Sequence, residues 1–252
     1  MNCYPSQAMS LTDLLKRTIR LHYIGLRYSI FSVAFITVIK YLAIVFLTLY
    51  VNVYAQATTY LLSILCMVYF FALALWLTHQ AFLDRPTPVS DGIKTITQHL
   101  FKIYITFLFY AVGAVAVFYA ADLLGDLLHR LLQNYLPTGS VSLIITAALL
   151  LIYVAMFVFS MPLTIIDNKP FQKAFYESIF LTEKNRMGIF ILYLIMFSVI
   201  LLLTPGTLHE YFLSMYHLNV IFDFIVLSVG MPLFINLLLL MINNGKVQVV
   251  LN

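Results

Sequence analysis

The chain has 252 residues, 63% of them hydrophobic and only 10% charged, with a formal net charge of +4. Soluble domains run near 45–50% apolar and about 25% charged, so this composition cannot supply a water-facing surface and a soluble domain is excluded. Several runs exceed the roughly 20 apolar residues that a helix needs to cross a hydrocarbon core of about 30 Å. The expected fold class is therefore all-α: a polytopic membrane protein forming one integral membrane domain over residues 1–252. The basic excess fits orientation in a bilayer, and no nucleic-acid partner is implied.

The N-terminal stretch MNCYPSQAMSLTDLLKRTIR lacks the apolar core and small-residue cleavage site of a secretory signal, so the first span is expected to serve as an uncleaved targeting signal. From Leu11, residues Leu14, Leu15, Thr18, Ile19 and Leu21 share one helical face, with Asp13, Lys16, Arg17 and Arg20 opposite. A first span is expected over about 28–51, a polar turn over Asn52–Thr59, and a second span over 59–83 that Asp84-Arg85-Pro86 stops. The segment VSDGIKTITQHL from Val89 then aligns without a gap with the segment from Leu11, pairing Ser90-Asp91 with Thr12-Asp13 and Ile93-Lys94 with Leu15-Lys16. Spans over 102–124 and 141–166 follow, the latter introduced by Pro137-Thr138-Gly139.

A third amphipathic segment begins at Phe171, after Asp167-Asn168 and with Pro170 at its first turn. Ala174, Phe175, Ser178, Ile179, Leu181 and Thr182 form its apolar face and Lys173, Glu177 and Lys184 the polar one, while Tyr176 and Phe180 interrupt the polar side. Such a helix is expected to lie in the headgroup layer. Spans over 187–208 and 219–242 complete six, closed by Thr204-Pro205-Gly206 and by Asn243-Asn244-Gly245-Lys246.

Basic residues in short loops stay on the cytoplasmic side. Twelve of the fourteen Lys and Arg fall at the N-terminus, in the second and fourth connections or in the tail; only Arg130 is in an outer connection and Lys40 within a span. Both termini are expected in the cytoplasm. The amphipathic starts at 11, 89 and 171 are nearly evenly spaced, and each precedes two spans, so the chain divides into three interfacial-helix-plus-hairpin repeats at about 11–83, 89–166 and 171–242. Ser160-Met161-Pro162-Leu163 recurs as Gly230-Met231-Pro232-Leu233, and Asp84-Arg85-Pro86 resembles Asp167-Asn168-Lys169-Pro170.

A span ending in a Pro-Leu stretch, a short acidic turn, and then Ala174-Phe175-Tyr176-Glu177-Ser178-Ile179-Phe180-Leu181-Thr182 with Asn185-Arg186 leading onward resembles the YciC-like bacterial inner-membrane proteins. It is also similar to the membrane domain of some glycerophosphodiester phosphodiesterases. The specific match is about thirty residues, although length and span count agree over most of the chain. The resemblance implies a bacterial inner-membrane location and carries no catalytic residues across. The chain has no room for the phosphodiesterase domain.

Phosphate-cradling Gly-rich loops, HExxH sites and GxSxG elbows are absent from the sequence, so no catalytic residue, cofactor or metal is assigned. Cys3 and Cys66 make neither a metal spacing nor a disulfide framework. Asp122, Asp126 and His129 share a helical face and are weak metal candidates, but flanking leucines explain them as acids turned to water at a membrane surface. His209, Glu210, His217 and Asp223 could form an outer cation or proton site, or serve as ordinary loop polarity. Lys40 lies 12 residues beyond Tyr28, about 18 Å into the bilayer. An intramembrane charge costs about 2.5–3.5 kcal/mol on insertion scales, which snorkelling outward or pairing with Asp122 or Asp223 would relieve. A structural charge is preferred there to a transport residue.

These observations point to a non-enzymatic inner-membrane protein acting in membrane or envelope organisation. Its expected partners are anionic membrane lipids, met at the interface by Arg17, Arg20, Lys94, Lys173, Phe175 and Arg186. A transporter or channel for a small solute or lipid is the alternative. A homo-oligomer or a membrane-protein partner is left open.

Overall fold

The computed structural model describes residues 3–5, 7–49, 52–132, 140–203 and 216–250, and describes no side chain at 48, 128–132, 140–144, 196–203, 216–219 or 249–250. The regular elements among these residues are all α-helices. Among the described residues, five helical stretches are long and apolar enough to cross a membrane: His22–Leu47, Val53–Phe82, Val89–Leu127, Ile145–Ile166 and Val220–Gln248. The described residues thus form an all-helical fold, that of a multi-pass membrane protein. In the remaining apolar helix, Arg186–Leu203, side chains are described over Arg186–Ile195.

The chain forms two compact units, one of residues 1–101 with 184–252 and one of residues 102–183. In the first, α1 (Leu11–Arg20) is separated from α2 (His22–Leu49) by Leu21 alone; α3 (Val53–Phe82) and α4 (Val89–Leu132) follow. After α8 (Arg186–Leu203), the last helix is α9 (Tyr216–Val250). α2 lies along both α3 and α9, and α1 and α8 pack on α9. Leu73, Leu75 and Leu77 of α3 and Ile235, Leu237, Leu238 and Leu240 of α9 are fully buried, whereas Phe31, Phe35, Val38, Leu42 and Phe46 of α2 point outward. Exposed apolar side chains in such a row are a surface made for lipid.

The second unit holds the bulk of α4 with α5 (Ser140–Phe157), α6 (Ser160–Ile166) and α7 (Phe171–Lys184). α5 and α6 are one apolar stretch interrupted at residues 158–159. Pro162, in the first turn of α6, has no N–H to offer the carbonyl four residues earlier, so the chain breaks upstream of it.

Three expected boundaries change. The polar turn over Asn52–Thr59 does not form: the Tyr54 amide donates to Asn52 Oδ1 at 2.9 Å, α3 begins at Val53, and Thr58 and Thr59 bond carbonyls one turn back. The segment from Val89 is not a separate interfacial helix, because no Gly or Pro lies between it and the expected span, and α4 runs unbroken for 44 residues. Asn243-Asn244-Gly245-Lys246 does not close the last span; α9 continues to Val250 while both amides bond the N-terminal segment. Pro137-Thr138-Gly139 and Thr204-Pro205-Gly206 lie outside the described residues.

Candidate functional site: a basic cleft beneath the first helix

α1 starts where Ser10 caps it. Ser10 Oγ accepts from the Asp13 amide at 3.2 Å and donates to Asp13 Oδ2 at 2.6 Å, so the carboxylate is held at the positive end of the helix. Leu14 and Thr18 are buried beneath α1, and the opposite face turns Lys16, Arg17 and Arg20 outward.

The N-terminal segment crosses in front of that face because it is tied down at four points. The Cys3 amide donates to the Phe82 carbonyl at 2.8 Å, Tyr4 Oη lies 2.5 Å from His79 Nδ1, the Met9 amide donates to Asn244 Oδ1 at 2.8 Å, and Asn243 Nδ2 donates to the Pro5 carbonyl at 3.0 Å. Cys3, Tyr4, Pro5 and Met9 therefore strap the end of α3 to the end of α9. Between strap and helix lies a cleft of about 410 Å³ lined by Cys3, Met9, Asp13, Lys16, Arg17, Arg20 and Leu21. Its polar wall carries three cations against one carboxylate, and Met9 and Leu21 give it an apolar side. Burial pushes the Cys3 thiol above its ordinary pKa, against the pull of Arg17, so at neutral pH it stays protonated and leaves the positive charge of the cleft intact.

The remaining sequence candidates lie on other helices. Lys94 on α4 and Lys173 on α7 are exposed, as is Arg186 at the start of α8. Phe175 is half-buried, its ring 4.9 Å from that of Phe157. Asp122 and Asp126 are exposed on α4; the side chains of His129 and His217, with His209 and Glu210 entirely, lie outside the described residues. No group of three or more His, Cys, Asp or Glu among the described residues is arranged to hold a metal ion.

Lys40 Nζ lies 2.7 Å from Asp223 Oδ2, and Tyr41 Oη donates to the same oxygen at 2.7 Å. Asp223 is fully buried and the lysine about one-quarter exposed. Of the two acids considered as partners for Lys40, α9 supplies the one used.

Sequence reasoning missed the work of Ser178 and Thr182. Ser178 Oγ accepts from the Phe159 amide at 3.1 Å and donates to the Met156 carbonyl at 2.8 Å, while Thr182 Oγ1 donates to the Ala155 carbonyl at 2.8 Å. α7 thus satisfies the backbone groups that the α5–α6 break sets free. The one available signal was the hydroxyl pair on an otherwise apolar face.

Comparison with protein-family models, with curated proteins and with solved structures finds no match to this chain.

Proposed function

We propose that this is a non-enzymatic bacterial inner-membrane protein, with both termini in the cytoplasm, that organises the membrane or envelope by holding anionic lipid headgroups at its basic end. The observation that carries this reading is the cleft, where Lys16, Arg17 and Arg20 converge beside Met9 and Leu21. A phosphodiester suits that lining because the guanidinium forks match its oxygens and the apolar side accepts the first carbons of the acyl chains. The cell's anionic inner leaflet supplies such groups in excess.

The six-span, three-repeat layout belongs to the same proposal. α8, an 18-residue and predominantly apolar helix, supplies the sixth crossing. The amphipathic segments are buried in one register: Leu14, Thr18, Leu21 and Gly25 in the first, Gly92, Ile96 and Ile103 in the second, Ala174, Ser178, Leu181 and Asn185 in the third. Asp84 and Asn168, each followed by a basic residue and Pro, both adopt left-handed backbone, with φ of 61° and 52°. The resemblance to the YciC-like proteins is offered on the same footing.

The test is native mass spectrometry of purified protein titrated with phosphatidylglycerol or phosphatidylcholine. At about 1 kcal/mol per basic residue, Lys16→Gln/Arg17→Gln/Arg20→Gln should weaken the anionic lipid on the order of 100-fold and leave phosphatidylcholine unchanged. Equal affinity of wild type for both lipids would remove the proposal.

A further inference from the structure

The interface between α2 and α9 carries a line of buried polar groups that no described residue satisfies. At one level a Cβ added to Gly25 would lie 2.5 Å from Asn236 Oδ1, and at the other Lys40 bonds Asp223. These two contacts fix the helices as antiparallel neighbours over 15 residues of α2, about 22 Å of helix. On α2, His22, Gly25, Ser29, Ser32 and Lys40 fall within one narrow arc. Ser29, Ser32 and Asn236 are fully buried. His22 Nδ1, Ser29 Oγ, Ser32 Oγ and both amide atoms of Asn236 are buried with no hydrogen-bond partner among the described residues.

Hydroxyls inside apolar helices ordinarily bond back to the carbonyl four residues earlier. Thr18, Thr37, Ser63, Thr106 and Thr164 do so here. Ser29 and Ser32 do not, and both stand on α2 at levels between the Asn236 and Asp223 contacts. In a bilayer no bulk solvent reaches such groups, so a set of them on one seam calls for a small ligand that both donates and accepts. Water is that ligand, since buried waters typically make about three bonds to otherwise unsatisfied groups.

We propose that the α2–α9 seam binds a file of water and relays protons between the His22 end and the Asp223–Lys40–Tyr41 cluster. Each transfer breaks one O–H bond and forms the next along the file, so no co-reactant is required. The carboxylate, ammonium and phenol at the far end are the groups able to receive or return the proton, and His22 is the titratable group at the near end. The inference uses no residue of the basic cleft and stands apart from the lipid reading.

The test is proton flux in proteoliposomes carrying a pH-sensitive dye, driven by a potassium diffusion potential. Wild type should acidify faster than protein-free vesicles. Asn236→Leu, which keeps the side chain's volume, and Ser29→Ala/Ser32→Ala should return flux to the protein-free rate while the protein remains folded by circular dichroism and size exclusion. A wild-type rate equal to that of protein-free vesicles, or full flux in folded Asn236→Leu, would overturn the proposal.

Discussion

At the scale of single residues, hydroxyls and amides settle where this apolar chain can bend. Ser178 meets both an amide and a carbonyl freed at the α5–α6 break, and removing one partner of a buried bond leaves the full desolvation penalty behind. Ser178→Ala should therefore cost about 1–3 kcal/mol in reversible unfolding from detergent. An unchanged unfolding midpoint would show that the break is satisfied by other means. The spacing Ala174, Ser178, Leu181 was legible because helical periodicity marks a buried face, and all three are buried. What those hydroxyls bond was not legible, because the carbonyls of Ala155 and Met156 become acceptors only once the helix upstream is broken. Lys40 is a similar case: one sequence offers both Asp122 and Asp223, and only packing of α2 on α9 selects the acid 183 positions away.

At the scale of elements, length and apolar content located the helices, while their ends followed local chemistry that composition does not rank. Met-Pro-Leu occurs twice, yet Pro162 accompanies a break whereas Pro232 sits inside a continuous α9. Ser178 and Thr182 make the difference at the first site. α7 is held by its buried stripe, by the Phe157–Phe175 ring contact and by Lys169, which pairs with Asp167 at 3.1 Å and with Glu177. Partial burial lowers the lysine's pKa, but hydrogen bonds to Glu177 and Asp167 outweigh it and leave the value raised. The stabilisation from this group is accordingly present at neutral pH and lost only as the pH rises through the lysine's folded value. Phe175→Asp should detach α7 from α5, lowering thermal stability by about 1–2 kcal/mol, part of the roughly 1.5–3 kcal/mol that a fully buried ring contributes, as followed by fluorescence-detected size exclusion. Wild-type stability in that variant would make α7 a solvated loop helix.

At the scale of the whole molecule, the multi-pass character was written in the composition, and the basic cleft was not. Its walls come from the N-terminal segment, brought there by bonds to Phe82, His79, Asn243 and Asn244, partners up to 238 positions away. The sequence supplied the cations on one face of α1 but nothing that says a strap would close over them. The proposed function depends on where those cations face, since it requires them to meet anionic headgroups of the cytoplasmic leaflet. The most direct measurement is cysteine accessibility to a membrane-impermeant maleimide, in a Cys3→Ser/Cys66→Ala background carrying Lys173→Cys or Lys16→Cys. The account predicts labelling in inverted vesicles and none in intact spheroplasts. Strong labelling of either position from outside intact spheroplasts would contradict it.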